Sequence, residues 1–261
     1  MKCIPFYRTL VLLIVIWGEL SAIWPFNEPV TVFIGPEIYY LHRTREGGSS
    51  QRGWLFGGRA LYERRKAFGF YWAADGYYAQ GTITGKNSSG SKLKSDLTEV
   101  EAEGRLGFSL CFRFCPKFSF TPYGGYGRFY CKNNFKHPSP LTCTFRDSFD
   151  YALAGLMTSI RFNQRLEVSI DFKTKYMLEG QSEITHDPEN DHVSLKMNNE
   201  LQYELAIPIN YNCCWRGRLL KISVAPFYRF RHFGGMLNHP YDFIDTKFRS
   251  YGGRVLFYLS Y

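Results

Sequence analysis

The chain has 261 residues, 45% hydrophobic, 18% aromatic and 21% charged, with a formal net charge of +9. A disordered chain would be charge-rich and aromatic-poor, and a coiled coil would carry sustained heptads, so both are excluded. The positive charge does not collect into a basic helix or tail; its longest purely basic run is Arg64-Arg65-Lys66, which argues against nucleic acid as a partner.

Residues 1–22 read as an export signal. Lys2 and Arg8 supply positive charge, Leu10 to Trp17 form an unbroken apolar run, and Ser21 and Ala22 offer small residues for cleavage. Eight apolar residues are too few for a spanning helix, which needs ~20. Residues 23–261 are then expected as one exported domain. No later stretch is apolar enough to cross a membrane as a helix, so membrane residence requires a closed barrel, the other structure that satisfies every backbone group in lipid.

From residue 31 onward the hydrophobic period is two. In 166–178, Leu166, Val168, Ile170, Phe172, Tyr176 and Leu178 alternate with Glu167, Ser169, Asp171, Lys173 and Lys175. In 197–209, Met197, Leu201, Tyr203, Leu205, Ile207 and Ile209 are set against Lys196, Asn198, Glu200, Gln202 and Glu204. The pattern predicts strands at 31–42, 53–63, 67–79, 97–114, 118–131, 147–162, 165–179, 195–210, 219–233 and 248–261. Short connections (64–66, 115–117, 163–164, 211–218) alternate with long ones (43–52, 80–96, 132–146, 180–194, 234–247). These strands exceed the ~5–6 residues usual in soluble sheets and suit the ~9–11 that span a bilayer at a tilt. The expected fold is therefore all-β: an antiparallel transmembrane β-barrel of about ten strands, with eight to twelve as its bounds. Its short turns would face the periplasm and its long loops the exterior.

The aromatic excess fits girdles at the two interfaces, with Tyr39, Tyr40, Trp54, Tyr77, Tyr78, Tyr130, Tyr241 and Tyr258 near strand ends and Phe112, Phe114, Phe118 and Phe120 about a short turn. Pro36, Pro122, Pro208 and Pro226 fall inside strands, where each removes a ladder donor; Pro122 and Pro208 lie near periplasmic ends, where a bulge is tolerable, whereas at Pro36 and Pro226 either the strand ends lie elsewhere or bulges occur. The face opposite the apolar one carries Glu99, Glu101, Glu103, Arg105, Glu167, Asp171, Lys173, Lys175, Glu200, Glu204, Arg229, Arg231 and Arg254. A barrel of about eight strands is just filled by its own side chains, whereas porins with a water channel have ~16–18. Inward charges in a ten-stranded barrel are therefore either an interlocked salt-bridge core or the lining of a narrow ion path.

Seven cysteines are present and Cys3 would leave with the signal. Cys131 and Cys143 bracket one long loop, and a disulfide between them is expected in an oxidising compartment. Cys111 and Cys115 lie at one short turn and Cys213 and Cys214 at another; either they stay as thiols or they cross-link to other cysteine-bearing envelope proteins. No phosphate-cradling loop, nucleophile elbow or metal motif is evident, so no cofactor and no metal are expected.

The last strand, with Tyr251, Gly253, Val255, Phe257, Leu259 and Tyr261 alternating up to a final aromatic, resembles the C-terminal signal of Gram-negative outer-membrane β-barrel proteins. The resemblance implies that Tyr251, Val255, Phe257, Leu259 and Tyr261 serve recognition by the barrel-assembly machinery and lipid contact. It also implies residence in the bacterial outer membrane, among its lipid and lipopolysaccharide. The function expected is that of an integral outer-membrane protein with a structural or porin-like role and surface-exposed loops. Two alternatives stay open. One is an adhesin that binds through its outer loops. The other is a surface protease, since ten strands with long loops resemble the omptin barrels. That resemblance implies a catalytic set of His186, Asp187, Asp191 and His192 on the fourth outer loop, with acids from Asp75, Asp96 or Glu99. The chain departs from the omptin pattern in lacking an Asp-x-Asp in the second loop and in having adjacent Asp and His.

Overall fold

A computed structural model of the chain describes residues 31–259 apart from 66–67, 113–114, 188–190 and 216–217. The expected signal segment 1–22 and Tyr261 lie outside the described residues. Twelve strands follow in order: β1 Thr31–Arg45, β2 Ser49–Arg65, β3 Gly69–Lys86, β4 Lys92–Phe112, β5 Cys115–Phe135, β6 Thr144–Arg161, β7 Leu166–Asp187, β8 Asp191–Met197, β9 Leu201–Ala206, β10 Ile209–Trp215, β11 Arg218–Phe233 and β12 Thr246–Leu259. Successive strands pair antiparallel from β1 to β8 and from β10 to β12, β9 pairs with β7 and β11, β10 also pairs with β7, and β1 pairs with β12, so the sheet closes on itself. Closure removes every edge, as a sheet in lipid requires.

β8, β9 and β10 are three pieces of one stave. All three pair with β7 in one continuous register, from Gly180↔Met197 through Tyr176↔Leu201 and Asp171↔Ala206 to Val168↔Ile209. The barrel therefore has ten staves, as the alternation predicts. The break between β9 and β10 is set by proline chemistry. Pro208 falls in the gap opposite Pro226 and its neighbour, and neither proline has an amide hydrogen to give. The carbonyls still serve: Ser169 donates to Pro208 O at 2.8 Å and Ile207 to Pro226 O at 3.0 Å. Pro36 likewise sits where the β1–β12 ladder skips from Ile34↔Phe257 to Glu37↔Arg254. Pro122 stays in register with Leu156 and needs no bulge.

Outside, the membrane-like wall is apolar. Ile34, Phe56, Phe70, Leu106, Ile170, Phe172 and Phe257 are exposed. At the loop end of this wall, Tyr228, Tyr251, Tyr40 and Trp54 stand directly opposite one another on β11, β12, β1 and β2. Tyr62 and Trp72 pack at 4.8 Å near the short-turn end, with Phe68, Phe70 and Phe108 close by. Trp54 and Tyr62 are eight residues apart on β2. At ~3.4 Å per residue and a tilt of ~40° that gives about 20 Å of height, close to the ~25 Å apolar band of outer-membrane barrels. Tyr251, Val255 and Phe257 face outward, as expected of the last strand. Tyr39 and Tyr77 do not join a girdle: both are buried inside the barrel.

The strands run beyond the Trp54 level, and much of what polar composition suggested to be long loop is strand. Residues 43–52, 80–96, 132–146 and 180–194 shrink to connections of 46–48, 87–91, 136–143 and 188–190. Above the girdle the two faces exchange character. Arg52, Thr82, Thr84, Lys86, Lys94, Gln181, Ser194 and Lys196 point outward into solvent, while Leu41, Ile83, Leu93, Leu97, Phe135, Ile184 and Val193 are buried inside. Leu201, Tyr203, Leu205, Ile207 and Ile209 face outward as read, but this exchange corrects the facing of Lys196 and Met197. Met197 is buried and Lys196 exposed, because an extra residue at Leu178 on β7 and a matching irregularity at 198–200 switch the alternation of both staves.

The apolar row Leu156–Phe172–Leu205 lies across β6, β7 and β9. Replacing Phe172 by Arg is expected to cost about 2–4 kcal/mol in a bilayer. At an exposed site of a water-soluble sheet the same change would stay within about 0.5 kcal/mol. Urea titration in lipid vesicles, following the heat-modifiable gel band, reads the difference.

Candidate functional site: the charged lumen and the loop-end cleft

The lumen is occupied by a closed ring of alternating charge. Glu103 meets Lys173 at 2.7 Å, Lys173 meets Glu204 at 3.5 Å, and Glu204 meets Arg229 at 3.1 Å. Arg229 reaches Glu37 at 3.1 Å, Glu37 reaches Arg59 at 2.9 Å, and Arg59 reaches Asp75 at 2.7 Å. Arg105 then joins Asp75, at 2.6 Å, back to Glu103. Spurs extend the ring. Lys175 bridges Glu101 at 2.5 Å and Glu103 at 3.3 Å; Arg231 bridges Glu99 at 3.0 Å and Glu101 at 3.3 Å; Arg254 reaches Glu204 at 3.4 Å and Asp171 lies 3.6 Å from Arg105.

Tyrosines fill the gaps that charge leaves. Tyr39 donates to Glu99 at 2.7 Å, Tyr151 to Glu103 at 2.9 Å and Tyr123 to Asp171 at 2.5 Å. Tyr123 and Tyr151 face glycines across the β5–β6 ladder, Gly155 and Gly127, where any Cβ would collide with their rings. With Tyr123 and Tyr151 from β5 and β6, every stave contributes a side chain to this network. Among the described residues the buried acids are Glu37, Asp75, Glu99, Glu101, Glu103, Asp147, Asp171 and Glu204. The buried bases are Arg43, Arg59, Arg105, Lys173, Lys175, Arg229, Arg231 and Arg254, so the buried charges balance one for one.

Above the ring sits an aromatic seal. Phe129, Phe149 and Phe233 come from opposite sides of the barrel and pack at 5.0, 5.3 and 6.1 Å, with Phe248 against Phe233 at 4.7 Å. The Arg231 guanidinium lies 4.3 Å from the Phe129 ring, joining seal to ring. Below the ring, Ser109–Thr121 and Ser159–Ser169 hydroxyl pairs and Arg65 with Glu167 occupy the short-turn end.

Beyond the seal a cleft of about 400 Å³ opens among the ends of β1, β6, β7 and β8 and the segments 136–143 and 234–245. Its wall is apolar and aromatic (Leu141, Phe145, Ile184, Leu195, Tyr241, Phe243) with Arg45 and Asp242 as its charged members. Arg45 Nε lies 3.4 Å from Thr246 Oγ1 and its guanidinium 5.2 Å from the Phe145 ring. Burial, with neighbouring Arg43 adding repulsion, pulls the Arg45 pKa down to about 10. On the outer rim Lys136 hydrogen-bonds Asp96 and, with the Thr82 hydroxyl at 2.8 Å, holds that carboxyl below its ordinary range.

Of the interior charges read from sequence, Glu101, Glu103, Arg105, Asp171, Lys173, Glu204, Arg229 and Arg231 all enter the network. Glu200 does not: it sits half-buried at the 198–200 irregularity, 3.5 Å from His232. Glu37 and Arg59 belong to the ring but were obscured by Pro36 and by Gly57-Gly58. Both stand on odd positions, which the exposed Ile34 and Ile38 on β1 and the exposed Trp54 and Phe56 on β2 turn inward.

The disulfide expected between Cys131 and Cys143 does not form, and Cys131 is a free thiol. Cys131 faces Asp147, which places Cys143 four residues further along the ladder. That is roughly 13 Å at ~3.3 Å per residue, beyond the ~7 Å that a disulfide tolerates between Cα atoms. Cys111 and Cys213 are half-buried at the short-turn end, and the backbones of Cys115 and Cys214 lie in the same two hairpins.

The residues of the protease alternative are not brought together with the acids proposed for them. His186 and His192 are exposed at the β7–β8 tip, where Asp187 and Asp191 pair in register. Asp75 and Glu99 are committed to the buried network, and Asp96 to Lys136 and Thr82 on the outer wall. Among the described residues no group of three His, Cys, Asp or Glu side chains is placed to hold a metal.

No protein-family model and no curated protein matches the sequence. Solved structures do match. The transport unit of the autotransporter AIDA-I from Escherichia coli is 9% identical over 91% of this chain and 93% of that one, with a TM-score of 0.50. The translocator domain of the autotransporter NalP from Neisseria meningitidis is 9% identical over 97% and 98%, with a TM-score of 0.49. Neisserial surface protein A is 13% identical over 87% and 99%, with a TM-score of 0.32. The first of these likenesses, together with the closed sheet, shows the fold to be that of an outer-membrane β-barrel.

Breaking the ring at Glu204, which meets three cations, is expected to be costly. Glu204→Ala leaves Arg254 without a carboxylate and Lys173 and Arg229 with one partner each, Glu103 and Glu37, and should lower unfolding free energy by about 3–5 kcal/mol. Glu46→Ala, at an exposed turn, should change it by less than about 0.5 kcal/mol. The urea midpoints of the two variants in vesicles make the comparison.

Proposed function

We propose that the protein is an integral outer-membrane barrel that is closed to solutes, serves as a structural element of the envelope, and meets the exterior with its loop end. The observation that carries this reading is the closed ring of paired charge beneath a seal of three phenylalanines. A water path needs unpaired polar groups facing free volume, and here the charges are paired and buried.

The polar wall above the girdle supports the orientation. Arg52, Lys86, Lys92, Lys94 and Lys136 are exposed there, and cations just beyond an aromatic girdle complement the phosphates of lipopolysaccharide. Since the buried charges cancel, the chain's net positive charge is carried outside the buried core. Residence in the outer membrane, cleavage of 1–22 and delivery by the barrel-assembly machinery through Tyr251, Val255, Phe257, Leu259 and Tyr261 belong to the same proposal.

Purified, heat-modifiable protein in a planar bilayer should give no stepwise current. Steady unit steps from folded protein would overturn the closed lumen and favour the narrow ion path.

A further inference from the structure

We infer that the loop-end cleft is a binding site for a small apolar carboxylate, held by Arg45 and enclosed by Phe145, Ile184, Leu195, Tyr241 and Phe243. Its volume, about 400 Å³, lies within the ~300–1,000 Å³ of small-molecule sites. An apolar wall with one oriented charge is what selects an apolar body with one ionic end.

Charge decides the sign of that end. In the membrane layer every buried cation meets a carboxylate within salt-bridge distance. Arg45 has none among the described residues; its recorded contacts are the Thr246 hydroxyl and the Phe145 face. Arg43 behind it hydrogen-bonds Gln51 at 3.2 Å and lies over Phe248. Asp147, the carboxylate buried in this layer, accepts from Ser182 at 2.6 Å. Two guanidinium groups thus share one carboxylate that touches neither. The other acid of the cleft, Asp242, accepts from the Asn238 backbone N–H at 3.0 Å. A carboxylate end would give Arg45 the bidentate partner that its fork geometry favours.

The cleft also has an entrance and a floor. Leu141 and Ile244 on its wall are exposed, and Phe149 and Phe233 stand between the cleft layer and the charged ring. Such a site retains its ligand and does not pass it down the barrel.

The test uses the protein in lipid nanodiscs, with naphthalene-2-carboxylate as the probe and naphthalene-2-methanol as its neutral counterpart, both followed by their own fluorescence. The carboxylate should saturate one site and bind at least about tenfold more tightly than the alcohol. Arg45→Met should remove that preference, and Arg45→Lys should keep most of it. Leu195→Trp, which fills the cleft, should abolish binding of both probes, with heat-modifiability confirming that each variant is folded. Equal affinity for the two probes, an unchanged preference in Arg45→Met, or no saturable binding of the carboxylate below ~1 mM would each overturn the assignment. Because the readout is binding and not current, these outcomes are independent of whether the lumen conducts.

Discussion

The alternating ring Glu103–Lys173–Glu204–Arg229–Glu37–Arg59–Asp75–Arg105 is the interaction on which the rest of the molecule depends. A closed sheet in lipid must turn its apolar side chains outward, which leaves the lumen to the polar ones. With ten staves the lumen is too narrow to hydrate them freely. Each buried charge must then find its partner on another stave, and a ring that returns to its starting strand leaves no terminal charge. The geometry of the ring shows why the barrel closes in one register. Sliding any stave by a single residue would send its charge into lipid and an apolar side chain into the ring.

That same constraint ends where the membrane ends, and the side chains record the level. Up to Trp54, Tyr40, Tyr251 and Tyr228 the wall is apolar outside and ionic inside. Above them Arg52, Thr82, Lys94 and Lys196 face outward, and Leu41, Ile83, Leu97 and Phe135 face inward. The backbone continues through the change without a break in β1 to β6. One sheet therefore serves two solvents, each selecting the opposite face for its core. The Phe129–Phe149–Phe233 cluster lies at the junction, where Arg231 packs on Phe129 and the ionic core gives way to an apolar one.

This division explains which parts of the structure were legible in the sequence. Where lipid lies outside, a regular period of two is unavoidable, and the stave count, the antiparallel order and residues such as Glu103, Lys173 and Arg229 could be read from it. Above the girdle both faces of a strand can be polar enough to pass for a loop. Thr82, Thr84 and Lys86 about Ile83 were read that way, although Ile83 is fully buried. The facing of Lys196 and Met197 was misread for a related reason. One extra residue at Leu178 inverts the alternation, and no single-strand pattern reports a bulge in its neighbour. Tyr39 and Tyr77 were assigned to a girdle because a tyrosine near a strand end suits a membrane interface. Their hydroxyls instead hold Glu99 from inside, at 2.7 and 3.2 Å. The separation of Cys131 from Cys143 depends on the β5–β6 register, which the spacing of the two residues in the chain does not specify.

The position of the cleft follows from the same layering. A ligand site inside the ionic layer would have to displace paired charges, each of which would then be buried alone at several kcal/mol. A site within the apolar layer displaces only water from an apolar wall, and needs one added group to orient its guest. Arg45 stands there, five residues beyond Tyr40 on β1, high enough to lie outside the lipid and low enough to be covered by Phe145. A cation so placed is neither a member of the ring nor free in solvent, and its chemistry is unmatched until an anion arrives. In the proposed closed barrel the seal beneath it would separate binding from passage, and a small guest would be held at the outer end without crossing the lumen.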